Sequence, residues 1–82
     1  MEGDLQRMVG RNLRAYRQAR GLSQEAFADV LKVHRTYMGG IERGERNLTL
    51  KSLEGIADRL DLDPLVLLTP QGLPLPDGES RG

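Results

Sequence analysis

Between residues 32 and 51 the chain reads KVHRTYMGGIERGERNLTLK, five Lys or Arg against Glu42 and Glu45. A guanidinium offers a planar fork of N–H donors that fits the O6 and N7 atoms of a guanine edge, and such a pair discriminates by about 1–3 kcal/mol. Arg35 is the candidate for that fork, with a solvated surface arginine as the bland alternative. Thr36 presents a hydroxyl and a methyl, suited to a polar base edge or a thymine methyl. Thr49 and Lys51 open a later helix, where unpaired N–H groups favour an anion, although Thr49 can also serve only as a cap. This is binding chemistry. The residue types for catalysis are missing: there is no cysteine, a single histidine (His34), and no His/Asp/Ser constellation, phosphate loop or metal-ligand cluster. No enzyme, cofactor or metal site is expected.

These residues need a scaffold, and the spacing of apolar positions supplies one. Leu5, Met8, Val9, Leu13 and Tyr16 recur at three- and four-residue steps and predict a first helix from about Asp4 to Ala19, closed by Gly21. Ser23 is an N-cap for a second, short helix whose apolar face is Phe27, Val30 and Leu31. A break follows near Lys32–Val33. On the third helix His34, Met38 and Ile41 lie together with Tyr37 at their flank, while Arg35, Thr36, Gly39, Gly40 and Arg43 take the opposite face. Gly44 ends it. Thr49 caps a fourth helix to about Leu60, with Leu50, Leu53, Ile56, Ala57 and Leu60 as its stripe, and Asp63–Pro64 opens a fifth, short and apolar, over Leu65 to Leu68. From Thr69 onward six of fourteen residues are Pro or Gly, which predicts a flexible tail over 69–82. The fold class is all-α: one five-helix domain over residues 1–68, with no strand pattern.

Net charge is zero, but it is unevenly spread. Residues 1–20 carry five Arg against Glu2 and Asp4, and acidic residues gather at Glu25, Asp29 and from Glu54 to Asp63. Binding to phosphates follows local potential, so basic segments can act despite neutrality; an ordinary mixed surface is the alternative. No apolar run approaches the roughly 20 residues of a membrane span, and MEGDLQRMVG lacks the order of a secretion signal. A cytoplasmic protein is expected.

Two short helices joined by a tight break, the second with a polar, basic outer face, is the layout of a helix-turn-helix, here about residues 23–43. RQARGLSQEAFADVL followed by HRTYMGGIERGERNLTLKSLEGIADRL resembles the Cro/repressor-like (XRE) family over roughly residues 7–68, and RTYMGGIERGERNLTLKSLE looks most like controller proteins of restriction–modification systems. The resemblance implies a sequence-specific double-stranded DNA-binding transcriptional regulator, with RNA polymerase as a further candidate partner. It places Gln24 on a phosphate and against the recognition helix, and Arg35 and Thr36 on base edges. It makes Arg17 and Glu42 an internal salt bridge. Arg43, Arg46 and Asn47 match a loop that grips the DNA backbone.

Other positions carry two readings. Gly39 and Gly40 on the outer face allow close approach to DNA, against a short helix that merely tolerates a weak end. The Tyr37 ring can pack on the core edge or its hydroxyl can reach a base or phosphate. His34 is the N-cap and a candidate contact to the DNA backbone; the helix dipole disfavours its protonated form and a nearby phosphate favours it, which predicts mild pH dependence of binding. Lys32 stands where the family's turn often has Gly or Asn, so a different turn geometry is expected. The apolar excess at Leu62, Leu65, Val66, Leu67 and Leu68 predicts that part of it, Leu62, Leu65, Val66 and Leu68, forms a homodimer interface, with core capping by all of it as the alternative. A homodimer would read a palindromic operator. The reading from another class is a protein-interaction module of the same fold, binding a toxin or polymerase subunit.

Overall fold

The computed structural model describes residues 4–70, in which five helices follow one another: α1 (Asp4–Ala19), α2 (Gln24–Leu31), α3 (Arg35–Glu42), α4 (Leu50–Arg59) and α5 (Pro64–Leu67). Four of the starts are fixed by side-chain caps. Ser23 Oγ accepts from Ala26 N–H, His34 Nδ1 from Thr36, Thr49 Oγ1 from Ser52 and Asp63 Oδ1 from Leu65, all within 3.1 Å. Pro64 stands in the first turn of α5, where its missing N–H leaves no bond unmade.

Leu13 of α1, Phe27 of α2, Met38 and Ile41 of α3 and Leu67 of α5 are fully enclosed, with Val9, Leu31, Leu53, Ile56, Ala57 and Leu60 around them. Three positions read as apolar-face residues lie outside this core: Leu5 and Leu50, 59% and 78% exposed, and Val30, also exposed. Leu5 and Leu50 occupy first turns, where side chains lean back past the packed layer. On α2 the buried arc is Phe27, Ala28 and Leu31, and Val30 falls on the far side of Phe27. His34, read as lying with Met38 and Ile41, is also exposed, because it is spent as the cap.

The α2–α3 turn is built on Lys32, which takes the left-handed conformation (φ 61°, ψ 41°) that glycine or asparagine enters more easily. Lys32 N–H bonds to Asp29 C=O at 3.2 Å and Val33 N–H to Ala28 C=O at 2.9 Å, the paired bonds of a Schellman motif. Those bonds, and the packing of Val33 on the core, offset a backbone penalty of about 1–2 kcal/mol. The residue departs from the common pattern, but the turn is the left-handed one that Gly or Asn would make.

At the other end of the domain the buried Asn12 donates to Leu67 C=O at 2.8 Å and Thr69 C=O at 3.0 Å, tying α5 back to α1. Thr69 Oγ1 also donates to Leu65 C=O at 2.8 Å. Thr69, read from the sequence as the start of the tail, is therefore held by the domain; the rest of the expected tail, from 71 on, lies outside the described residues.

Candidate nucleic-acid interface

What orients α3 is a polar cluster beneath it. Arg17 of α1 meets Glu42 with two parallel bonds, Nε to Oε2 at 2.8 Å and Nη2 to Oε1 at 3.1 Å, and its Nη1 donates to Leu22 C=O at 2.9 Å. Gln24 Nε2 donates to the same Glu42 Oε1 at 3.0 Å. The Arg17 and Glu42 side chains are 13% and 3% exposed. A buried charge pair this well bonded locks the last turn of α3 to α1 and to the start of α2. The helices close further at Gly10, where a Cβ would stand 2.4 Å from Ile41 O and 2.7 Å from Glu42 O. Only a residue without a side chain lets α1 and α3 meet backbone to backbone.

With Met38 and Ile41 sunk in the core, the opposite side of α3 reaches solvent in its first turn. Arg35 and Thr36 open the helix and are both exposed. Arg35 lies 4.0 Å from Glu25, a loose contact between side chains that are mostly solvated. Gln24, Glu25, Arg35, Thr36, Gly39 and Arg43 line an open cleft between α2 and α3. His34 caps the helix, its Nδ1 accepting from Thr36 N–H.

The two glycines are not bare, contrary to the face read from the sequence as open to close approach. Both are buried, though not in the apolar core. A Cβ on Gly39 would lie 3.1 Å from Arg43 Nη1 and 3.5 Å from Gln24 Oε1; one on Gly40 would lie 3.0 Å from both Arg46 Cγ and Nε. Long side chains from the C-terminal end of α3 fold back over the gap. The Arg46 guanidinium stands over the Tyr37 ring, 5.2 Å from its centroid, and Arg43 Nε pairs with Glu45 at 3.1 Å. Tyr37 is half-buried, its ring against the core edge and under Arg46.

The remaining candidates separate. Asn47 accepts a hydrogen bond from Gln6 Nε2, so the loop is tied to α1. Thr49 spends its hydroxyl proton and one lone pair in capping, accepting from Ser52 N–H and donating to Ser52 Oγ, both at 3.0 Å. Lys51 is exposed on α4. Of the apolar set at α5, Leu65 is 68% exposed, Leu62, Val66 and Leu68 are half-buried, and Leu67 is closed into the core. Sequence reasoning passed over Gly10, Asn12 and Gln6. A signal existed for Asn12, a polar residue on the stripe of Val9, Leu13 and Tyr16; Gly10 and Gln6 carried none, because their partners are far away in the chain.

Comparison with known proteins places this geometry among regulators. A helix-turn-helix family model matches residues 13–67. Over 70 residues the chain is 44% identical to the control protein C.SmaI of Serratia marcescens, spanning 85% of this chain and 83% of that protein. It is similar in structure to the restriction–modification controller protein C.AhdI from Aeromonas hydrophila, with a TM-score of 0.67 and 42% identity over 76% of this chain and 94% of that one. The controller protein C.Esp1396I, solved as a tetramer with its natural 35-base-pair operator, matches with a TM-score of 0.67 and 39% identity over 78% and 84%.

Proposed function

The chain belongs to the XRE-type helix-turn-helix family, and from that premise we propose that it is a homodimeric, sequence-specific transcriptional regulator of the controller type, which reads a palindromic DNA operator with α3 in the major groove. The observation that carries this reading is the two-sidedness of α3. Its inner residues Met38 and Ile41 are locked into the core, while Arg35 and Thr36 stand exposed at its N-terminal end. A helix held this way can enter a groove without unfolding anything, and its first turn meets the bases.

Each side chain then has a physical task. Arg35 trades its loose contact with Glu25 for a guanine edge, and Thr36 takes the neighbouring base. Gln24 gives one amide hydrogen to Glu42 and has a second for a phosphate, at the N-terminus of α2, where backbone N–H groups add to the attraction. Arg43, Asn47 and Lys51 are assigned to the DNA backbone, where such contacts set the register of the helix. Arg17 and Glu42 touch no DNA; they hold α3 in place.

One α3 contacts too few base pairs for high specificity, and a second copy doubles the reading. Leu65, exposed beside the half-buried Leu62, Val66 and Leu68, supports a twofold interface at α5. Half-sites would fall about one helical turn apart, roughly 34 Å. The relatives are regulators rather than enzymes, and no helix among the described residues is long and apolar enough to cross a membrane.

Selection of binders from a random duplex DNA pool tests the proposal. The wild-type protein is expected to enrich an inverted repeat, and Arg35→Ala to lose one guanine from each half-site. If nothing is enriched and binding vanishes at moderate salt, only the nonspecific phosphate attraction is present and the proposal fails.

A further inference from the structure

Along α3, Gly39 follows Arg35 and Gly40 follows Thr36 by one turn each, so each row of reading residues runs on into a position without a side chain. Both gaps are filled from beyond the helix. Arg46, in the loop after α3, lays Cγ and Nε across Gly40, 3.0 Å from where a Cβ would be, and sets its guanidinium over Tyr37. Arg43 does the equivalent over Gly39.

The two arginines differ in what holds them. Arg43 is paired with the Glu45 carboxylate, as Arg35 is more loosely with Glu25. Among the described residues, the partner of Arg46 is a ring and not a carboxylate. A ring face attracts the cation but occupies none of its N–H donors, so the fork stays charged and available. Held against a surface before binding, it also has less conformational freedom to lose when it binds.

We propose that Gly40 is a specificity-determining position acting through Arg46: the missing side chain seats the Arg46 guanidinium on the outer face of α3, one turn beyond Thr36, where it reads a base edge in the same groove as Arg35. This rests on the DNA-binding reading above and moves Arg46 from a backbone contact to a base contact. A side chain at position 40 would fill the seat and push Arg46 outward, so Gly40 touches no base itself and positions the residue that does.

The test compares duplexes selected from a random pool by the wild type, Arg46→Ala, Gly40→Ala and the double variant, together with side-chain NMR of the DNA-free proteins. In the wild type, Arg46 side-chain signals are expected to carry the ring-current displacement of Tyr37, and Gly40→Ala to abolish it. The wild-type motif is expected to contain, in each half-site, a base pair distinct from that of Arg35 at which both single variants lose discrimination by about tenfold or more. Adding Gly40→Ala to Arg46→Ala should change nothing further. The inference is overturned if Gly40→Ala keeps the full motif, or if Arg46→Ala weakens all sequences alike with a shallower salt dependence, the behaviour of a backbone contact. Those results leave the regulator reading standing. A wild-type protein that enriches no sequence removes that reading and this inference with it.

Discussion

Gly10 and Gly40 are both helical glycines shut away from solvent, yet the atoms that cover them differ in kind. Over Gly10 lie the backbone carbonyls of Ile41 and Glu42, at 2.4 and 2.7 Å from a would-be Cβ; over Gly40 lies the flexible middle of the Arg46 side chain, at 3.0 Å. Backbone in a helix crossing cannot retreat without moving a whole element. An exposed arginine can turn about its own bonds. The first glycine therefore belongs to the architecture that fixes α3, together with Arg17, Glu42 and Gln24, and the second to the surface that α3 presents. The lesson is that glycine burial alone assigns no role; the mobility of the covering atoms does.

The largest expected effect lies on the architectural side. Arg17→Ala strands a carboxylate that is 3% exposed, and denaturant titration should show a loss of about 3–5 kcal/mol. Replacing both partners by apolar residues should cost less than removing Arg17 alone, since no charge is then left unpaired. A loss under 1 kcal/mol for the single variant would put this pair with ordinary surface contacts. Next comes Gly10→Ala, which drives a methyl into two carbonyl oxygens and should destabilise by about 1–3 kcal/mol as α1 moves off α3. The smallest change has the opposite sign. Gly40→Ala improves helix propensity while displacing only a flexible side chain, and the thermal midpoint should rise, by a stabilisation of up to about 1 kcal/mol. Should Gly40→Ala destabilise as much as Gly10→Ala, the distinction between the two glycines collapses.

Much of this molecule is written locally. Ser23, Thr49 and Asp63–Pro64 mark helix starts by chemistry that acts over two or three residues, and they do so here. The stripes of α1 and α4 follow their period except at Leu5 and Leu50, because periodicity describes a helix face but says nothing of where the neighbouring helix stops. Arg35 and Thr36 were legible because a helix's outer face follows from its inner one. The arginine cover over Gly39 and Gly40 was not, since it depends on how a loop folds back across the helix. The same holds for Gly10 and Asn12, whose partners at Ile41, Glu42 and Leu67 are set by tertiary packing. Lys32 shows the reverse: an unusual residue whose backbone geometry is the common one, because the surrounding hydrogen bonds decide it.

The most direct measurement is a crystal structure of the protein bound to the duplex it selects. Two protomers joined at α5 are expected, each α3 in the major groove with the Arg35 fork on a guanine, and Arg46 still seated over Gly40 and Tyr37 with its N–H groups on a second base edge. An α3 held outside the groove, or one protomer on a site without inverted symmetry, would contradict this arrangement.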